Sequence, residues 1–191
     1  DEYYVPNNYA IVLVGDLDFE KTVVLVDEYF GQLPYKELPK KDLIIEKPLT
    51  EIVERTVKSP TTPRLQLAWR TESYGTKEAM LADITANILS NRGEAGLLDL
   101  NINQTQKMLW AQAYSLGLKQ YGYFSLVAVP KENQTLSEAK EMMLEQIELL
   151  KKGDFPDWML PAIINDFKLQ RLKGLETAEG LATNLYDTYI K

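Results

Sequence analysis

Apolar and polar positions follow two rhythms along this chain, and the switches between them mark out its elements. Residues 10–14 (Ala-Ile-Val-Leu-Val) form a continuous apolar run, which predicts a buried strand. Gly15-Asp16-Leu17-Asp18 ends the run. Asp18 can cap a following helix, and Glu20 suits the positive end of its dipole. Phe19, Val23, Val26 and Phe30 recur at helical spacing and define one face. Gly31 fits the C′ position, and Pro34 prevents continuation. Residues 34–49, "PYKELPKKDLIIEKPL", hold three prolines and many charges and read as a connector.

Structure is expected to resume at "TEIVERTV" (50–57), counted here as a strand. "RLQLAWR" (64–70) alternates Leu65, Leu67 and Trp69 with polar residues, as a half-buried strand does. Residues 75–91 are helical in pattern, with Leu81, Ile84 and Ile88 on one face and Ala79, Ala82 and Ala86 permitting close packing. "GEAGLLDLNI" (93–102) predicts a short second helix. Strands follow at 107–115 and 121–129, joined by "LGLKQ" as a hairpin connection. Thr135 and Glu138 form a capping box. They open a helix whose face is Ala139, Met143, Ile147 and Leu150, closed by Lys151, Lys152 and Gly153. Asp154 can cap the next helix, which runs to about Lys173. A last helix, 177–190, carries Leu181, Leu185 and Tyr189 on one face. Strands in adjacent pairs followed by runs of helices predict an α+β fold: an antiparallel sheet with helices packed on one face.

Composition narrows the chemistry. The chain has 191 residues, 45% of them hydrophobic, enough for a real core. Its net charge of −7 repels a phosphate backbone, so no nucleic-acid partner is expected. No apolar run approaches the roughly 18 residues of a membrane span. No signal peptide is visible, and Asp1 in place of Met suggests that a leader or a larger upstream part was removed. There are no cysteines and no histidines. Disulfides, thiolate chemistry, a Ser-His-Asp triad and every His- or Cys-ligated zinc site are therefore excluded. No metal site and no catalytic residue is expected in this chain.

The remaining candidates read mostly as structure. One glycine in Gly15-Asp16-Leu17-Asp18 is too few for a phosphate loop, and a metal reading needs oxygen ligands converging from elsewhere. A capped turn explains every residue there. The aromatic set Trp69, Trp110, Tyr114, Tyr121, Tyr123 and Phe124 fits either a peptide groove or core and cross-strand pairs; strand aromatics favour the second. The acidic stretch "EAKEMMLEQIE" reads as a solvated helix face. Asn103-Gln104-Thr105 and Asn133-Gln134-Thr135 match the N-glycosylation pattern, which is short enough to arise by chance.

"YVPNNYAIVLVGDLDFEKTVVLVDEYFGQLP" (4–34) resembles a segment of the pitrilysin/insulysin/processing-peptidase family of zinc metallopeptidases: an apolar strand, Gly-Asp-x-Asp, a helix and a Phe-Gly-x-Leu-Pro exit. "PRLQLAWRT", "ANILSN", "GLLDLNINQ" and "GYFSLVAVPKENQTLSEAKEMMLEQIELLKKGDF" are similar to the domain that follows in such proteins. The resemblance spans almost the whole chain.

That resemblance implies tandem α+β domains enclosing a peptide-binding chamber. The family's zinc site is an inverted His-x-x-Glu-His helix plus a later Glu, in an upstream domain. Residues 1–34 would match the end of that zinc-type domain, 35–49 a connector, and 50–191 a non-catalytic domain, incomplete at its end. Zinc is expected upstream and none here. Some family members supply a substrate-contacting Arg and Tyr from a non-zinc domain; Asn103 and Trp110 fall at those places, so that pair is replaced here. The implied function is a non-catalytic domain of a zinc-dependent endopeptidase, inactive alone. It would contact peptide and pack against the zinc-type domain or a homologous chain. The alternative is an assembly subunit without proteolytic activity. The resemblance also suggests a bacterial periplasm or cell envelope. If 9–31 normally completes another domain's sheet, it should repack on this chain or associate with a second copy.

Overall fold

The computed structural model describes residues 2–40 and 45–190; positions 41–44 of the connector and the two end residues lie outside the described residues. The chain divides into two compact units, one of residues 59–171 and one of residues 2–58 with 172–190.

The larger unit holds a three-stranded antiparallel sheet of β1 (Leu65–Thr71), β2 (Trp110–Gly117) and β3 (Gly122–Val129), in the order β1-β3-β2. The hairpin β2–β3 aligns Trp110 with Val129 and Gly117 with Gly122. β1 lies on the other side of β3, with Trp69 opposite Phe124. Alternation sends Ala111 and Ala113 of β2, and Phe124, Leu126 and Ala128 of β3, into one core. Helices α2 (Lys77–Leu89) and α3 (Leu136–Lys152) supply Ala86, Leu89, Ala139 and Met143 to it. The segment between α2 and β2 adds Leu97, Leu98 and Ile102. The expected α+β architecture is present.

Particular elements differ from the pattern. Residues 10–14 are not a strand: they pair with no ladder, and Ile11 and Leu13 are exposed. A strand needs an edge to pair with, and no described residue of this chain supplies one to this run. Residues 50–57 form no strand either, with Ile52 and Val57 open to solvent. In α2 the buried positions are Ala79, Ala86, Ile88 and Leu89, whereas Leu81 is exposed. Ala86, Ile88 and Leu89 enter the core and Ile84 packs against it, so Leu81 is the member of the predicted face that turns outward. Residues 99–103 are helical but of the rare π type.

α1 (Phe19–Phe30) is capped by Asp18, whose side chain accepts from the Lys21 amide. None of its residues is buried. Gly31 ends it in right-handed rather than left-handed geometry. α4 (Met159–Glu176) starts later than its pattern suggests. Pro156 interrupts, and Asp154 does not cap α4; its amide bonds the Leu149 carbonyl and closes α3. α5 (Ala178–Ile190) follows and buries none of its residues, so Leu185 and Tyr189 are exposed.

α3 is fixed at both ends as its sequence dictates. Gly153 takes the left-handed C-terminal position (φ 69°). At the other end the Thr135 amide donates to Glu138 Oε2 at 2.7 Å, and Thr135 Oγ1 accepts from the Glu138 amide at 3.2 Å. The Thr135 backbone N–H, then its hydroxyl, hold the Glu138 carboxyl below its ordinary value. A carboxyl lowered on folding stabilises above its unfolded pKa, about 4.3, and that contribution disappears as pH falls through the folded value. We expect a ¹³C titration of the Glu138 carboxyl to give a midpoint below about 4.3. We also expect Glu138→Gln to abolish the acid-dependent loosening of the first turn of α3.

Candidate functional site

The segment between α2 and β2 is built around one buried carboxylate. Asp99 opens the π-helical turn Asp99–Asn103 and is 5% exposed. Its Oδ2 accepts the amides of Asn91 and Gly96, each at 3.0 Å. Its Oδ1 accepts Asn103 Nδ2 at 3.2 Å and Ser90 Oγ at 3.4 Å. Four donors satisfy a charge that would otherwise be costly to bury. Gly96 belongs to the same knot. A Cβ there would lie 2.5 Å from the Leu89 carbonyl, so the close passage of loop and helix end requires glycine.

Asn103 links this knot to the sheet. Its Oδ1 accepts the Ala111 amide at 2.9 Å, and its Nδ2 donates to the Ala111 carbonyl at 2.8 Å. The side-chain amide thus pairs with β2 as a neighbouring strand's backbone would. The edge of β2 that has no second strand beside it is thus capped at Ala111 by a side chain.

Beside this link lies an open cleft of about 450 Å³. Asn103 and Trp110 both line it, together with Arg92, Gln104 and Gln112. Trp110 is 40% exposed. The two residues singled out in the sequence therefore meet at one place, in different states. Asn103's amide is committed to Asp99 and Ala111, while the Trp110 ring is partly open to solvent. Asp99 escaped the sequence reading. The signal was its position four residues before Asn103, a helical neighbour spacing. The loop amides that complete its site come from Asn91 and Gly96, and no local pattern announces them.

The other candidates settle as structure. Trp69 and Phe124 pack at 5.8 Å, and Tyr114 and Tyr123 meet edge-on at 6.0 Å. The Arg70 guanidinium lies 5.0 Å over the Tyr121 ring. Asp18 is a helix cap, and Lys21 holds its carboxyl below the ordinary value. Glu138, Glu141 and Glu145 line a shallow depression on α3, a solvated face as expected.

Among the described residues no three His, Cys, Asp or Glu side chains gather where they could hold a metal ion. Asp99, the buried carboxylate, has its oxygens filled by N–H and O–H donors. With neither histidine nor cysteine in the chain, its residues do not fit a catalytic zinc. No described helix is long and apolar enough to cross a membrane.

Fold and site together define an α+β domain with a three-stranded antiparallel sheet and a loop knotted around one buried carboxylate. Residues 1–167 match the family model described as the Peptidase M16 inactive domain. The chain belongs to that family. It is 20% identical over 198 residues to the zinc protease PqqE of Helicobacter pylori, a match covering 98% of this chain and 43% of that protein. Its fold is similar to the crystal structure of a protease from Helicobacter pylori, with a TM-score of 0.73 at 18% identity, covering 93% of this chain and 44% of that one. It is also similar to a structure described as an inactive peptidase domain from Bordetella parapertussis, with a TM-score of 0.53 at 13% identity. That match covers 68% of this chain and 71% of the other. The chain thus spans less than half the length of the Helicobacter relatives.

Proposed function

We propose that this domain forms part of the wall of a peptide-binding chamber in a zinc-dependent endopeptidase, and that the chemistry is done by a separate zinc-type domain. Membership of an inactive-domain family supports the division of labour, as does a chain without the histidine or cysteine of a usual zinc site. The observation that carries the binding role is the cleft where the half-open Trp110 ring stands beside Asn103. Clefts pairing an aromatic surface with a few fixed polar groups are what bind peptides and other small ligands.

Packing against the zinc-type domain has its own support. Residues 10–14 run apolar without a ladder partner, and α1 presents Phe19, Val23 and Tyr29 to solvent. An apolar segment left open in this way is the mark of a docking element. We further propose a bacterial periplasm or cell envelope for the parent protein, a reading supported by the family resemblance alone.

The binding role is tested with a fluorescein-labelled unfolded peptide titrated with the chain. We expect saturable binding that weakens by about tenfold in Trp110→Ala, the effect of losing one aromatic anchor. Equal binding by Trp110→Ala would remove the cleft from the proposal.

A further inference from the structure

We infer that Asp99 is a positioning residue for this cleft, acting on Trp110 through Asn103 and Ala111. The inference rests on the peptide-binding role just proposed.

The relay is legible atom by atom. A carboxylate only accepts hydrogen bonds, so Asp99 Oδ1 selects the donor end of the Asn103 amide. A flipped amide would set its oxygen against both the Asp99 carboxylate and the Ala111 carbonyl. Asp99 and the two Ala111 backbone groups therefore agree on one orientation of the Asn103 amide, and Asp99 holds the side chain in it from the loop side. Held in that orientation, Asn103 grips both backbone groups of Ala111. The Ala111 N–H belongs to the peptide unit that joins Trp110 to Ala111. Fixing that unit fixes the plane from which the Trp110 side chain departs, on the side opposite the buried Ala111 methyl. The relay is anchored at its far end, because the Asn91 and Gly96 amides pin Asp99 itself.

The same bonds define the ligand class. Asn103 has spent its amide inside the protein, so it does not clamp a peptide main chain. Recognition falls to the Trp110 ring, flanked by Arg92, Gln104 and Gln112. The cleft then takes an extended peptide by an aromatic or long aliphatic side chain.

The experiment uses the chain with 5-fluorotryptophan at its three tryptophans, read by ¹⁹F NMR. The probe is a fluorescein-labelled alternating Ala-Phe hexapeptide. In wild type the peptide is expected to shift the Trp110 resonance. In Asp99→Asn, the Trp110 resonance of the free protein should move and broaden while those of Trp69 and Trp158 stay in place. Peptide binding should weaken by at least about fivefold, the loss of one well-formed hydrogen-bonded link. Asn103→Ala keeps the loop bonds of Asp99 and should reproduce both effects, which guards against a folding defect in Asp99→Asn. Wild-type Trp110 resonances and affinities in both variants would overturn the inference. If Trp110 moves in both variants but wild type binds no peptide, the positioning stands and the peptide-binding reading falls.

Discussion

Asp99→Ala is expected to lower the stability of the sheet-containing unit by about 4 kcal/mol, the largest effect of any single truncation outside the apolar core. Asp99 is buried, and its carboxylate collects the amides of Asn91 and Gly96, the Asn103 side chain and the Ser90 hydroxyl. Alanine leaves these donors facing a void. Each buried donor left unpaired costs about 1–3 kcal/mol. Ser90 contributes least, since its bond is the longest at 3.4 Å and its hydroxyl can turn elsewhere. The loss does not stop at the loop, because Asn103 then keeps Ala111 without its own anchor. Urea unfolding followed by near-UV circular dichroism checks the figure. A loss under about 1 kcal/mol would mean that water replaces the carboxylate and the knot is not structural.

Leu126→Ala is expected to cost about 3 kcal/mol. Leu126 lies on the central strand, pairs with Leu67 on one side and Ala113 on the other, and is 1% exposed. A backbone hydrogen-bonded on both edges cannot fully collapse into the cavity that truncation leaves, so a cavity cost adds to the lost transfer free energy. Leu13→Ala in the apolar 10–14 run should change stability by less than about 0.5 kcal/mol, since Leu13 is 52% exposed. The contrast between two leucines, both read from sequence as strand residues, tests where the core lies. The same urea unfolding experiment measures both.

How much was legible follows from what each element depends on. Elements fixed by local chemistry were readable. The Thr135–Glu138 box, the left-handed Gly153 and the hairpin around "LGLKQ" need only their own residues. Elements that depend on a distant partner were not. Residues 10–14 have strand composition, yet a strand exists only against an edge, and no described residue of this chain supplies one there. α2 turns Leu81 to solvent while Ala86, Ile88 and Leu89 enter the core, a choice set by the packing partner and not by the helical period alone. The site was half legible. Asn103 and Trp110 could be located by resemblance, and the structure brings them to one cleft. That the Asn103 amide is turned inward depends on Asp99, and Asp99 in turn on loop amides that no periodicity reveals.

The measurement that bears most directly on a non-catalytic domain of a zinc peptidase family is a cleavage assay. The chain would be incubated with a quenched-fluorescent peptide, with and without equimolar zinc. We predict no hydrolysis in either condition, with the peptide still bound and Trp110→Ala weakening that binding. Zinc-dependent cleavage that co-elutes with the chain and disappears with a chelator would contradict the account.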